Sequence, residues 1–205
     1  MKDIVIVDYG MCNLDSVARA VEKCGGTPLI SADAAHIAAA DGIVLPGVGA
    51  FADAMAMLKQ RGLIAPLREQ VLARGTPFLG ICLGMQLMAE LGHEGGRSEG
   101  LGLIPGEVVR LVAPTPETRI PHVGWNEVEL ERQSPLLAAI ADRTDFYFVH
   151  SYHLRCPDRF VVATTPYCGG FTSVVARDNC FGTQFHPEKS LADGQALLRN
   201  FLALC

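Results

Sequence analysis

The sequence predicts an α/β fold: an open, doubly wound mixed sheet with helices on both faces and a β-rich second half. Three observations predict it. Up to about residue 91, short apolar runs alternate with helical patterns, which calls for parallel strands joined by crossover helices. From Val108 to Phe185 the runs are strand-like, with one short helical interruption. From Ala192 to Leu204 the residues Ala196, Leu197, Phe201 and Leu204 share one helical face, which makes a closing helix.

Asp3 to Asp8 is an apolar strand ending in Asp8-Tyr9-Gly10. Asn13 is placed to cap the helix that follows, whose Leu14, Val17, Val21 and Cys24 fall at helical spacing before Gly25-Gly26 ends it. Thr27 to Ile30 reads as a second strand and Ala34 to Ala39 as a short helix. Gly42 to Leu45 is a third strand, leading into Pro46-Gly47-Val48-Gly49-Ala50-Phe51. Helical patterns run from about Ala52 to Arg61 and from Ala65 to Leu72. Pro77 to Ile81 is a fourth strand, and Leu87 to Leu91 reads as a helix. His93 to Gly102 is glycine-rich and polar, a loop. Val108–Val112, Trp125–Leu130, Phe146–Val149, Phe160–Thr164, Thr172–Ala176 and Gly182–Phe185 read as strands, added antiparallel to the sheet. Pro135 to Ile140 is the short helix among them.

The 205 residues suit a single domain, 1–205, with no repeat, linker or low-complexity segment. Hydrophobic residues make up 49% and charged residues 19%, a globular composition. The net charge of -5 gives no basic surface for nucleic acid. No apolar run approaches the ~20 residues of a membrane span. The chain goes from Met1 straight into a strand, without a leader pattern. Seven cysteines with no C-x-x-C pair point to reduced thiols in a cytoplasmic protein, not to a disulfide framework or a zinc site. No metal and no cofactor is expected.

The chemistry centres on Gly80-Ile81-Cys82-Leu83-Gly84. A thiol between two glycines, at the end of a strand, has the pattern of a sharp turn that presents a nucleophile above a sheet. The turn strains the backbone at the nucleophile and leaves no room for side chains beside it. A buried cysteine between glycines is by itself an ordinary core feature. A second stretch, Gly182-Thr183-Gln184-Phe185-His186-Pro187-Glu188-Lys189-Ser190, gives it partners. Residues two apart in extended backbone point the same way, and Pro187 biases His186 toward extended geometry. Glu188 can then hold the His186 imidazole, and the imidazole can take the Cys82 proton. The small residues of Pro46-Gly47-Val48-Gly49 would let backbone amides reach an oxyanion. The turn supplies one donor, the amide of Leu83; Val48 or Gly49 would supply the second.

These residues resemble the class I, or triad, glutamine amidotransferases, whose fold is flavodoxin-like. Further stretches narrow the resemblance: Asp8-Tyr9-Gly10 with Asn13-Leu14, Leu45 to Phe51, Pro121-His122-Val123-Gly124-Trp125-Asn126, Phe148 to Tyr152, and Gln184 to Ser190. Together they are similar to the glutaminase subunits of imidazole glycerol phosphate synthase, from the first strand to the last helix. Cys12 departs from that pattern, which commonly has glycine there.

The resemblance implies that Cys82 attacks the side-chain amide of L-glutamine, with His186 as base and acid and Glu188 as its orienter. It implies glutamine contacts from Gly49, Gln86, Ser151 and Tyr152. It also implies a heterodimer with a separate (β/α)₈ cyclase subunit, HisF, that uses the ammonia, with Asn13, Trp125, Tyr147 and Lys189 as interface candidates. A backbone flip near Gly47-Val48 is the expected switch. His36, His93 and His153 read as surface or loop residues, and His122 and His150 receive no chemistry. Two alternatives stay open: the amidotransferase subunit of another synthase, such as anthranilate or aminodeoxychorismate synthase, and a non-catalytic regulatory subunit.

Overall fold

The computed structural model describes residues 1–205. In chain order, β1 is Asp3–Val7, α1 Leu14–Lys23, β2 Thr27–Ser31, α2 Ala34–Ala39, β3 Gly42–Gly47, α3 Phe51–Gln60 and α4 Ile64–Arg68, continued by a π-helical turn Glu69–Ala73. Then follow β4 Phe78–Cys82, α5 Leu83–Leu87, β5 Leu91–Gly92, β6 Ser98–Glu99, β7 Glu107–Arg110, β8 His122–Leu130 and β9 Thr144–His150. The chain closes with β10 Tyr152–Arg155, β11 Val161–Thr165, β12 Phe171–Arg177, β13 Cys180–Thr183 and α6 Leu191–Leu204.

Nine strands form one mixed sheet in the order β2-β1-β3-β4-β13-β12-β11-β8-β9. Alternation along β1 shows how it is covered. Ile4 and Ile6 face a core that includes Val17 and Val21 of α1 and Leu197 and Phe201 of α6. Val5 and Val7 face a core that includes Ile37 of α2, Leu58 of α3 and Leu67 of α4. Strands buried on both faces are near-continuously apolar, as Gly42 to Leu45 and Phe78 to Ile81 are. The doubly wound, mixed α/β reading therefore holds.

Five features differ from the sequence reading. The helix after the fourth strand is Leu83–Leu87, not Leu87–Leu91. It stops because the amides of Leu101, Leu103 and Gly102 take the carbonyls of Leu87, Met88 and Ala89, at 2.8, 2.8 and 2.9 Å. Those carbonyls no longer serve a next helical turn. The polar stretch 93–102 contains β6, and β10-β7-β5-β6 make a second, four-stranded sheet that the sequence did not signal. β13 lies parallel to β4, whereas β8, β9, β11 and β12 are antiparallel to their neighbours. Only a 3-10 turn, Pro135–Leu137, stands where a helix to Ile140 was expected. Asn13 precedes α1 without a side-chain capping bond.

Candidate active site

β4 sits between β3 and β13, so its carboxyl end is flanked by both. Cys82 closes it at φ 54 and ψ -111, a conformation that L-residues rarely adopt. The flanking glycines are needed for space. A Cβ on Gly80 would lie 2.7 Å from the Gly84 carbonyl oxygen, and one on Gly84 would run into the Leu45 carbonyl oxygen. The next residue, Leu83, opens α5, where backbone amides lack partners within the helix.

The second half of the site arrives by β13. Its register with β4, Gly182 opposite Gly80 and Thr183 opposite Ile81, delivers residues 184–188 beside the Cys82 turn. His186 is held by its backbone: its amide donates to the Tyr147 carbonyl at 2.9 Å, and its carbonyl accepts from Ser190 Oγ at 2.7 Å. His186 Nδ1 bonds Glu188 Oε1 at 2.8 Å, with both side chains nearly inaccessible. From the sequence, this pair is expected to meet across extended backbone. His186 is extended, but Pro187–Lys189 is a 3-10 turn that folds Glu188 back under the ring. Proline suits that turn because its φ is already set and its missing N–H has no partner to lose.

Burial by itself would lower the His186 pKa, but Cys82 beside it and Glu188 behind it outweigh burial and push it up to about 9. Nε2 of the ring makes no hydrogen bond at rest. The imidazolium is thus favoured at neutral pH, with Nε2 free to give its proton to a leaving group.

Cys82 and His186 open into a cavity of about 230 Å³ lined also by Val48, Gly49, Leu83, Gln86, Glu94 and Val149 to Tyr152. The structure thus brings Cys82, His186, Val48, Gly49, Leu83, Gln86, Ser151 and Tyr152 together, with Glu188 buried behind the ring. A larger depression of about 930 Å³, along Pro116 to Pro121, contains none of these residues. The Val48 amide, one of the two expected second oxyanion donors, is engaged elsewhere. It donates to the Met11 carbonyl at 2.9 Å, and Gly49 has φ +99.

Asn13, Trp125, Tyr147 and Lys189 lie outside the cavity. Trp125 and Tyr147 face each other across β8 and β9, with ring centroids 6.1 Å apart, and Lys189 Nζ lies 5.8 Å from the Tyr147 centroid. Val123 and Val149 are the neighbouring exposed pair on these strands. Asn13 is exposed at the start of α1.

Sequence reasoning missed three residues. Glu94 falls in the stretch expected to be loop; its Oε2 accepts from the Phe51 amide at 2.8 Å while the residue lines the cavity. Gln184 lies in the same motif as His186, and its Nε2 reaches Cys82 Sγ at 3.7 Å. His150 lines the cavity, and burial pushes its pKa down to about 3. His153, expected at the surface, is half-buried in β10, and burial lowers it to about 4. No helix is long and apolar enough to cross a membrane.

Residues 5–205 match the model of the family "Glutamine amidotransferase class-I". The chain is 49% identical to imidazole glycerol phosphate synthase subunit HisH 1 of Campylobacter jejuni (strain RM1221), over 98% of this chain and 100% of that protein. It is 50% identical to the HisH subunit of Moorella thermoacetica, over 98% of this chain and 94% of that protein. Among solved structures, PurLQS of Thermotoga maritima aligns with a TM-score of 0.76 at 20% identity, over 99% of each chain. The crystal structure of a glutamine amidotransferase aligns at 0.75 and 19% identity, over 98% of this chain and 97% of that one. At such identities these two speak for the fold alone. The chain belongs to the class I glutamine amidotransferase family, and within it to the HisH subunits.

Proposed function

We propose that this chain is the glutaminase subunit of an imidazole glycerol phosphate synthase in histidine biosynthesis, acting as one domain in the cytoplasm. One observation carries the chemistry: a strained cysteine and a carboxylate-held histidine line the same cavity. The Cys82 thiolate attacks the side-chain amide carbon of glutamine, and a C–S bond forms. The C–N bond then breaks, and ammonia leaves with the proton from His186 Nε2. Water attacks the thioester and gives a proton to His186. The C–S bond breaks, releasing glutamate and restoring the thiolate beside protonated His186. Glu188 keeps Nε2 aimed throughout.

Recognition follows from the polar groups of the cavity. Gln86 Nε2 is committed to the Tyr152 carbonyl at 2.8 Å and to Gln184 Oε1 at 3.1 Å. Its own Oε1 is therefore the atom left to accept from the α-ammonium of glutamine, together with the second oxygen of Glu94. Ser151, Tyr152 and Gly49 supply the remaining contacts.

The Leu83 amide is one oxyanion donor. The Val48 amide becomes the second only by turning away from Met11, and Gly49, already at positive φ, absorbs that rotation. We assign this change to the partner, a (β/α)₈ cyclase subunit of the HisF type. It docks as a heterodimer on the face of Trp125, Tyr147 and Lys189, with Asn13 at its edge. Ammonia free in neutral water would be protonated and lost as a nucleophile, so enclosed transfer to the cyclase suits the chemistry. The test pairs the chain with the cyclase and its nucleotide substrate and follows imidazole glycerol phosphate. Glutamine should support product with the unmodified chain. With Cys82→Ala, only added ammonium should support it. Product from glutamine with Cys82→Ala would overturn the reading.

A further inference from the structure

The proposed hydrolysis uses Cys82, His186 and Glu188, yet the hydrogen bond that the Cys82 sulfur accepts comes from none of them. It comes from Gln184 Nε2, at 3.7 Å. As a thiol the sulfur can itself donate to the Val149 carbonyl, 3.8 Å away, but a thiolate has no proton to give there. Once the proton has left, Val149 offers nothing to the sulfur and Gln184 still does.

The direction of the Gln184 amide is fixed by a chain of bonds that meets two backbone groups, the Glu127 amide and the Tyr152 carbonyl. The Asn126 side-chain oxygen accepts from the Glu127 amide at 2.9 Å, so Asn126 Nδ2 must face His122 Nε2, at 3.1 Å. His122 Nε2 then accepts, and His122 Nδ1 donates to His150 Nε2 at 3.2 Å. His150 Nδ1 donates to the Tyr152 carbonyl at 2.9 Å. That carbonyl can only accept, so the Gln86 atom that meets it at 2.8 Å is Nε2. The same nitrogen donates to Gln184 Oε1 at 3.1 Å, which leaves Gln184 Nε2 for the sulfur. Gln184 has no exposed surface, so no water competes for that donor. Burial holds His122 at about 4 and His150 at about 3, so both rings stay neutral and the sense of the chain survives at working pH.

We propose that Gln184 is a further catalytic residue of the hydrolysis: its amide N–H holds the Cys82 thiolate, and its bond with Gln86 couples that donor to the glutamine pocket. A hydrogen bond to a charged sulfur is stronger than one to the neutral thiol, so Gln184 favours the thiolate over the thiol. Gln86 would contact the substrate and Gln184 the nucleophile, so loosening one amide misplaces the other. This inference rests on the glutaminase reading.

Two substitutions test it. Gln184→Met conserves bulk but offers neither donor nor acceptor. Gln184→Glu keeps an acceptor for Gln86 and, when ionised, has no proton for the sulfur. Alkylation of Cys82 by iodoacetamide is followed on the Cys82 peptide by mass spectrometry in the free chain. Glutamate release is followed in the complex with the cyclase and its nucleotide. With Gln184→Met, alkylation at fixed pH and kcat should each fall about tenfold to a hundredfold, and KM should rise because Gln86 loses its acceptor. With Gln184→Glu, kcat should fall similarly with KM little changed, and activity should recover as the pH is lowered and the carboxyl regains a proton. If Gln184→Met does not fold, the Gln184→Glu pH profile decides. Either folded variant hydrolysing glutamine and alkylating within about twofold of the unmodified chain would overturn the proposal. An unmodified complex that releases no glutamate would instead sink the glutaminase reading, and alkylation would still report on Gln184.

Discussion

The two sides of the catalytic cavity are built to different degrees of completion. On one side, His186 and Glu188 are buried, bonded at 2.8 Å and locked through backbone bonds to Tyr147 and Ser190. On the other, Val48 is 44% exposed and its amide is tied to Met11 instead of facing the cavity. The first side grows from β4 and β13 in the middle of the nine-stranded sheet. The second is a loop of small residues at the end of β3. A rigid interior can fix a charge relay permanently, whereas a loop held by one exposed-side hydrogen bond can be switched. On the proposed mechanism, this difference puts catalysis in the core and control at the surface.

Removing the nucleophile breaks the comparison from the finished side and has the largest effect. Cys82→Ala should abolish glutamate release while leaving Tm within a few degrees, measured by a coupled glutamate assay and thermal unfolding. Glu188→Gln should lower kcat by about 10³-fold, because the ring loses its orienter and counter-charge. It should also change the response to pH. The charged His186 is favoured in the folded state, with a pKa near 9. Its contribution is fully present below the unfolded value of about 6.5 and is lost as pH rises through about 9. Glu188→Gln should therefore move the alkaline loss of stability in a Tm–pH series to lower pH. The buried His122 and His150 act oppositely. Their folded values near 4 and 3 leave them neutral while the unfolded chain takes up protons, so stability falls as pH drops below about 6.5.

On the switchable side the effects are smaller. Gly49→Ala opposes the positive φ that the loop already uses, and activity in the complex should fall by about 10²-fold, as for a lost oxyanion donor. Trp125→Ala should leave Tm unchanged, since the indole is half-exposed, and weaken cyclase binding by about tenfold to a hundredfold in calorimetry.

The finished side was legible in the sequence, and the switchable side only in part. Gly80 and Gly84 are dictated by close backbone approach, and such needs leave a fixed residue type at a fixed spacing. The pairing of His186 with Glu188 was legible, although a 3-10 turn brings it about. The parallel seat of β13 beside β4 was not, because sequence pattern carries no information on which edge a late strand joins. The end of α5 was missed because its carbonyls are taken by the distant segment 101–103. Glu94 and Gln184 were missed for a related reason: a single polar residue acquires meaning only from what the fold sets against it. The resting bond from Val48 to Met11 is backbone to backbone and leaves no mark on residue type.

The most direct test measures glutamate release by the chain alone, with the cyclase subunit, and with the cyclase subunit plus its nucleotide. A built relay facing an unfinished oxyanion hole predicts a low rate alone and a rise of about 10²-fold or more in the full mixture. A free chain as fast as the full complex would contradict the account, because it would mean that the Val48 amide need not turn.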